Sequence, residues 1–230
     1  RPDLCFELAT HIMEALGDAV SIADEVHGFR YFDARDVLGF VDGTANLHTD
    51  AELMERYVWT AGGTAGEPGW TTGGSYHVVR VIRMLVEFWD RTPLSEQEAL
   101  IGRQKISGAP LDGTHETDVP DYAADPKGEV TPLDAHIRLA NPRTPATQDN
   151  LILRRGFSYS RGYDGAGQLD QGLAFVCFQK SLETGFPAVQ SRLNGEPLEE
   201  YILPEGGGYF FALPGVATAN GNLGQGMFGD

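Results

Sequence analysis

Ser75-Tyr76-His77-Val78-Val79-Arg80-Val81-Ile82-Arg83-Met84-Leu85 is the stretch of sequence that decides the fold. Its many β-branched residues and its partial alternation of side-chain polarity predict a β-strand. Residues 173–179 and 209–213 predict two more strands, and residues 151–153 a short one. Helical segments lie between them without the regular alternation that a parallel sheet requires. The sequence therefore predicts an α+β fold with an antiparallel sheet.

Helices are predicted at four places. Residues 3–16 carry four apolar side chains on one face at helical spacing. Asp50 is a favourable N-cap for a short helix, and residues 93–103 begin with a proline that suits a first helical turn. Residues 183–193 predict a fourth helix. The polar stretch over 106–133 predicts a long loop, which in a compact domain is usually functional or mobile.

The composition is that of a globular protein with an acidic surface. Of the 230 residues, 41% are hydrophobic and 22% are charged, and the formal net charge is −16. Such a charge repels phosphate backbones, so a nucleic-acid partner is not expected. The apolar runs are much shorter than the roughly 20 residues of a membrane span, so none is predicted. For Cys5 and Cys177, burial as small apolar side chains is favoured over a disulfide.

Three segments carry side chains whose chemistry can be combined. They are Gly39-Phe40-Val41-Asp42-Gly43-Thr44, in an irregular region, Asp134-Ala135-His136-Ile137-Arg138-Leu139-Ala140-Asn141-Pro142, and Arg154-Arg155-Gly156-Phe157. A haem peroxidase needs an imidazole on the iron, a distal acid–base group and a cation beside the O–O bond that breaks. Alone, each segment also fits an ordinary turn, a hydrogen-bonded histidine or surface charge. No HExxH or CxxC motif supports a zinc site.

Read in this order, the three segments resemble the dye-decolorizing peroxidase family. Further matches to that family are Gly73-Gly74-Ser75-Tyr76, Ile101-Gly102-Arg103 and Gly208-Tyr209-Phe210-Phe211-Ala212-Leu213-Pro214-Gly215. The resemblance covers nearly the whole chain. It is strongest to the branch of bacterial enzymes that includes exported, iron-uptake-linked members, which implies a periplasmic or extracellular location, with the cytoplasm as the alternative.

The resemblance implies a role for each site residue and one haem b for each complete pocket. His136 would be the axial ligand of the haem iron, the single metal ligand supplied by the protein. Asp42 would be the distal acid–base group, and Arg154, with Arg155 as its rival, the distal arginine. Asn46 would match a distal asparagine. The family's carboxylate that hydrogen-bonds the proximal histidine would be one of two residues, Glu196 or Glu199.

The resemblance also implies a domain organisation. The family carries two ferredoxin-like α+β domains in one chain, and residues 1–230 match the second, haem-binding domain with its lead-in helix. Because the chain opens on Arg1-Pro2-Asp3-Leu4 without an initiator methionine, it is expected to be a piece of a longer protein that lacks its N-terminal ferredoxin-like domain. The bare interdomain face would be filled by that N-terminal half or by another copy of the chain.

The leading hypothesis is a haem peroxidase that reduces hydrogen peroxide and oxidises bulky aromatic substrates such as dyes. Electrons would reach the pocket through aromatic side chains, for which the candidates are Trp59, Trp70, Trp89, Tyr163 and Tyr201. Within the same family, the alternative is deferrochelatase-type release of iron from an intact porphyrin. Two other classes stay open, a non-catalytic haem-binding fragment and an acidic hydrolase with paired carboxylates.

Overall fold

The computed structural model describes residues 2–63, 66–216 and 218–228, and it contains one antiparallel sheet. The strand bounds are β1 Gly28–Phe29, β2 Ser75–Met84, β3 Leu153–Arg154, β4 Phe157–Tyr163, β5 Leu169–Gln179 and β6 Ile202–Ala212. The strands follow the order β1-β4-β5-β2-β6, and the short strand β3 also pairs with β5. Every pairing is antiparallel.

The sheet has the topology of a ferredoxin-like domain. The long central strand β2 pairs with β5 on one side and with β6 on the other. Helical segments connect β2 to β4, a hairpin joins β4 to β5, and a helix leads from β5 back to β6. This β-α-β-β-α-β path is the split arrangement of that fold. The α+β fold with an antiparallel sheet is confirmed.

Six α-helices belong to the described residues. Asp50 caps the second of them as expected, because its Oδ1 accepts the Leu53 backbone N–H at 3.0 Å. The fourth ends where Gly102 adopts a left-handed φ of 92°, a conformation that glycine tolerates best. The helix bounds are α1 Pro2–Leu16, α2 Ala51–Tyr57, α3 Val86–Trp89, α4 Leu94–Ile101, α5 His136–Ala140 and α6 Phe186–Leu193.

Some predicted bounds of strands and helices were wrong, and one strand was not predicted. Strand β4 was not predicted, because Phe157–Tyr163 mixes serine, glycine and arginine with its aromatic residues. Strand β6 begins at Ile202 rather than at Tyr209, since its first half contains Pro204 and three glycines that disguise a strand. Helix α6 begins at Phe186, after the predicted start. The loop over 106–133 contains no helix or strand, as predicted.

The main hydrophobic core lies on the inner face of the sheet, where helices α3 and α4 cover it. Trp89 is fully buried, packs edge-on against Phe40 and Tyr201, and donates its indole N–H to the Leu38 carbonyl at 3.0 Å. The other buried members of this core are Met84, Ile101 and Leu198. The core therefore ties the loop before Asp42 to the helices and to β2.

Helix α1 packs on no core of the described residues. Its apolar stripe is exposed, with Leu4 and Leu8 at 59% and 62% of their full accessibility.

The two cysteines differ in burial. Cys5 lies on helix α1 and is exposed, so its expected burial is wrong, whereas Cys177 is buried in β5 as expected. Burial raises the pKa of the Cys177 thiol to about 12, which makes this thiol unreactive.

The outer face of the sheet is apolar and accessible. Val79 and Val81 on β2 stand opposite Val176 and Ala174 on β5, and all four are only partly buried. Phe210 of β6 borders this patch and is 55% exposed. Among the residues described, no helix combines the length and the apolar character that crossing a membrane requires.

Candidate active site

A cavity of about 600 Å³ opens on the inner face of the sheet. Alternate residues of the central strands form its floor, because side chains of a strand point to opposite faces in turn. Helices α5 and α6 and the loop that contains Asp42 contribute the other walls. The floor residues are Arg80, Ile82 and Met84 of β2 with Leu173 and Phe175 of β5.

Asp42 and Arg154 form an ion pair on the wall of this cavity. Arg154 Nη1 donates to Asp42 Oδ1 at 2.6 Å, and each side chain keeps about a third of its surface accessible (33% and 30%). Strand β3 places Arg154 opposite Cys177 of β5. The Asp42 backbone N–H donates to the Ala34 carbonyl at 2.8 Å. The two charges that the sequence placed far apart are thus in direct contact.

The side chain of Asn46 binds the backbone of Arg154. Its amide Nδ2 donates to the Arg154 carbonyl at 2.7 Å, and its Oδ1 accepts the Arg154 backbone N–H at 2.9 Å. Within the described part of the chain, the cavity lining includes Arg154 and not Asn46 or Arg155. Arg155 is exposed. Of the two arginines, Arg154 therefore lines the cavity, and Asn46 binds its backbone; the catalytic roles of Arg154 and Asn46 stay predictions.

His136 is the first residue of α5 and lines the same cavity. Its Nδ1 lies 2.8 Å from Glu196 Oε2 and 3.1 Å from Oε1. The Glu196 side chain is 4% exposed, while that of His136 is 34% exposed. A carboxylate on Nδ1 holds the proton on that nitrogen and leaves Nε2 as the electron-pair donor. Of the two glutamates considered, Glu196 contacts His136, whereas Glu199 is an exposed residue at the cavity edge.

Helix α5 is anchored at its C-terminal end by a residue that the sequence analysis missed. Arg192 of α6 donates from Nε to the Leu139 carbonyl at 2.9 Å and from Nη2 to the Ala140 carbonyl at 3.0 Å. Its Nη1 donates to Asn150 Oδ1 at 2.9 Å. A cation at the C-terminal carbonyls stabilises a helix that is too short to be stable alone. Helix α5, and with it His136, is held in place.

A second clamp ties α5 to the long loop. Arg138 donates to the Thr131 carbonyl at 2.7 Å and to Asp125 Oδ2 at 3.3 Å. Backbone N–H groups of the loop, that of Thr131 foremost, keep the pKa of the Asp125 carboxyl below its usual value. The end of this loop is consequently tied to the helix that begins with His136.

No role was assigned from the sequence to four further charged groups of the cavity, although Arg103 lies in one of the motifs that match the family. Arg103 is buried and donates from Nη1 to the Gly108 and Glu116 carbonyls, and this burial lowers the pKa of its guanidinium. Arg80 donates to Gln190 Oε1 at 2.6 Å. Arg143 and Asp36 complete the set. A pattern search could not single them out, because their neighbours are distant in the sequence or lie in turns.

The arrangement fits a haem. The cavity volume lies within the range of pockets for large cofactors, and its walls are largely apolar. One imidazole is oriented by a buried carboxylate, and a carboxylate–guanidinium pair shares the cavity. Within the described residues no cluster of three or more His, Cys, Asp or Glu is placed to hold a bare metal ion. A single imidazole is the only protein ligand that a porphyrin-bound iron needs.

The aromatic candidates for electron transfer differ in their surroundings. Trp89 and Tyr201 are buried and in contact, with ring centroids 4.9 Å apart. Trp59 and Tyr163 are exposed, by 40% and 73%, and Trp70 packs edge-on against Phe211. Their role in electron transfer stays a prediction.

Two family models match the chain. The model described as "Dyp-type peroxidase, C-terminal" matches residues 33–217, and "Dyp-type peroxidase, N-terminal" matches residues 1–30. Among curated relatives, a protein named "Deferrochelatase" from Yersinia pestis is 61% identical over 193 residues, which is 84% of this chain and 44% of the relative. The protein of the same name from Escherichia coli O6:K15:H31 is 60% identical over 84% of this chain and 45% of its own. The chain thus spans less than half the length of these relatives.

The chain also resembles solved structures. Ferric DtpA from Streptomyces lividans superimposes with a TM-score of 0.83 and 35% identity, over 96% of this chain and 61% of that one. DyPB from Rhodococcus jostii RHA1 gives a TM-score of 0.71 and 30% identity, over 93% and 63%. Since the C-terminal family model covers most of the sequence, the chain belongs to the dye-decolorizing peroxidase family.

Proposed function

We propose that this chain forms the haem pocket of a peroxidase that reduces hydrogen peroxide and oxidises bulky aromatic compounds. The observation that carries this proposal is that the His136–Glu196 pair and the Asp42–Arg154 pair line one cavity. An acidic hydrolase is disfavoured, because each of these two carboxylates is bound to a cation or an imidazole. The direct test is peroxide-dependent bleaching of an anthraquinone dye by the protein reconstituted with haem b, one per pocket.

His136 would hold the haem through Nε2. Bound haem b would supply the iron at which peroxide is reduced and the redox chemistry that follows. Glu196 would keep the proton of the imidazole on Nδ1 and increase the electron donation of Nε2. Because Arg192 fixes the helix that carries His136, the imidazole would be oriented before the cofactor binds.

Asp42 would move the proton of peroxide, and Arg154 would stabilise the negative charge that develops on its oxygens. Asp42 Oδ1 is engaged by Arg154 Nη1, so Oδ2 would be the atom that takes the proton. The guanidinium stays charged at every working pH, and it can therefore oppose an anion without exchanging a proton itself. Asn46 would keep this guanidinium in place through the Arg154 backbone.

Replacement of Glu196 by glutamine is expected to weaken haem retention by roughly 10–100-fold, the usual effect of losing a partner that orients a ligating histidine. The amide keeps the size of the side chain and removes its charge, so Nδ1 loses its ionic acceptor. Transfer of haem to apomyoglobin measures the change. Glu199→Gln is the matched control and should retain haem like the wild type. Equal loss in both variants would contradict the assignment of Glu196.

Iron release from haem is the second candidate function, because the curated relatives at about 60% identity are named deferrochelatase. The same pocket would hold the porphyrin while the iron leaves. Chromatography of the pigment after incubation with a reductant separates the two functions. Recovery of iron-free porphyrin supports release, whereas unchanged haem with dye bleaching supports the peroxidase. Haem that binds and shows neither reaction would identify a non-catalytic haem-binding fragment.

We further propose that a whole N-terminal ferredoxin-like domain packs on the apolar outer face of the sheet. Residues 1–30 match the N-terminal family model, and the exposed stripe of α1 lies in that segment. An apolar patch of this kind on a sheet is typical of an interface.

We propose the periplasm or the exterior as the location of the whole protein, with the cytoplasm as the alternative. Cell fractionation distinguishes these locations.

Val176→Asp, at the centre of the outer face, is expected to weaken binding of the separately produced N-terminal domain by about tenfold or more, because it buries an unpaired charge. Size-exclusion chromatography with the N-terminal domain added in trans measures this. Val119→Asp, at an exposed loop position, is the control. Equal binding by both variants would contradict the proposed interface. A wild-type dimer that Val176→Asp dissociates would assign the face to a second copy instead.

A further inference from the structure

Asp36 is a titratable residue of the cavity wall that the proposed chemistry does not use. Its Oδ1 accepts the backbone N–H groups of Leu38, at 3.0 Å, and of Phe40, at 3.2 Å. Its own N–H donates to the Phe40 carbonyl at 2.9 Å, and its carbonyl accepts the Gly39 N–H at 3.0 Å. Side chain and backbone of Asp36 together close the turn over residues 36–40.

This turn lies just before Asp42, the proposed distal acid–base group. Gly39 makes the turn possible, because its φ of 89° is a value that other residues rarely adopt. Val41 forms an antiparallel bridge with Arg35, and the next N–H, that of Asp42, donates to the Ala34 carbonyl. Leu38 and Phe40 are buried in the main core. A shift of the turn would therefore move the Asp42 carboxylate relative to Arg154.

The Asp36 carboxyl is also sensitive to charge. Burial raises its pKa to about 7, and the negative charge of Asp42 adds to this rise, while the N–H groups of Phe40 and Leu38 oppose it. At mildly acidic pH this carboxyl is therefore mostly neutral, and it gains its charge near neutrality. The other charged or titratable groups that face the cavity are Asp42, Arg80, Arg103, His136, Arg143, Arg154, Glu196 and Glu199.

We propose that Asp36 is a positioning residue for Asp42, which holds the turn before it and, when ionised, places a second negative charge in the same cavity. This inference rests on the proposed function, because it assigns Asp36 to the acid–base step of Asp42. A second negative charge disfavours the developing peroxide anion. The ionisation of Asp36 would thereby slow that step above neutral pH.

Two variants separate the parts of the proposal. Asp36→Asn keeps an oxygen acceptor for the turn and removes the charge, whereas Asp36→Ala removes both. In the haem-free protein, hydrogen exchange of the Leu38 and Phe40 amides should be about tenfold faster in Asp36→Ala, since two hydrogen bonds are lost. It should stay near the wild-type rate in Asp36→Asn. Asp118→Ala, which removes a similar turn acceptor in an exposed loop, is the matched control.

The pH dependence of stability tests the charge without haem. The pKa of Asp36 in the folded protein is higher than the ordinary aspartate value of 3.8, so the folded state retains a proton that the unfolded state releases. Stability due to this group therefore falls as the pH rises between about 4 and 7. The melting temperature of Asp36→Asn should increasingly exceed that of the wild type over this interval.

With haem bound, the rate of reaction with hydrogen peroxide completes the test. Asp36→Asn should match the wild type near pH 5 and exceed it several-fold above pH 7, while Asp36→Ala, which loses the turn acceptor as well as the charge, should be slower than Asp36→Asn at both pH values. Unchanged amide exchange in Asp36→Ala, or a parallel pH dependence of wild type and Asp36→Asn, would overturn the proposal. If Asp42→Asn reacted normally with peroxide, the proposed function would fail, although the exchange and melting results on Asp36 could still hold.

Discussion

Replacement of His136 by alanine is expected to abolish axial ligation of the haem iron by the protein. His136 is the histidine that lines the cavity, and its Nδ1 is bound to a buried carboxylate, which leaves Nε2 to coordinate. An axial imidazole is the one bond from the protein to the iron. The apolar walls would still retain some porphyrin, so we expect a weakened, broadened Soret band rather than none.

Absorption and electron paramagnetic resonance spectra of the ferric protein measure this loss. Added imidazole should restore the wild-type ligand-field signature in His136→Ala, because the cavity left by the side chain can hold it. His115→Ala, in an exposed loop, is the control and should resemble the wild type. A wild-type spectrum in His136→Ala without imidazole would show that another group holds the iron.

Replacement of Asp42 by asparagine is expected to slow the reaction with hydrogen peroxide by roughly 10²–10⁴-fold, the usual contribution of general acid–base catalysis. The amide oxygen can still accept the hydrogen bond of Arg154, so the pair and the cavity shape should persist. What disappears is a base that can take a proton from peroxide. Haem affinity and the spectrum of the resting protein should be unchanged.

Stopped-flow absorption at limiting peroxide gives the rate constant for this variant. Asp118→Asn is the matched control, because Asp118 also accepts hydrogen bonds but lies outside the cavity lining of the described residues. A rate in Asp42→Asn within a factor of about two of the wild type would remove Asp42 from the acid–base role.

The central strand and the short capped helix could be predicted because their signals are local. Residues 75–84 carry the β-branched pattern of a strand. Asp50 caps a helix by accepting a hydrogen bond from the backbone N–H of Leu53, only three residues away. Strand β4 could not be predicted in this way. It lies next to the sheet edge, where only the two residues of β1 cover it, so its sequence needs little apolar character.

The partners of the site residues were the least accessible to sequence analysis. Glu196 contacts His136 across 60 residues of chain, and the turn of 3₁₀ helix over Pro197–Tyr201 directs Glu199 elsewhere. Arg192 reaches the end of α5 across 53 residues. Neither spacing is a local pattern, so only the fold could choose between the two glutamates or identify the arginine. Asp42, His136 and Arg154 were found because their surrounding motifs resemble a family.

The most direct test of the account is the visible absorption spectrum of the haem-reconstituted protein before and after one equivalent of hydrogen peroxide. If the His136–Glu196 and Asp42–Arg154 pairs serve one haem, we expect a sharp Soret band that shifts fully and rapidly with that single equivalent. A sharp Soret band that peroxide leaves unchanged would contradict the proposed role of Asp42 and Arg154, and would leave a haem-binding protein without peroxidase chemistry.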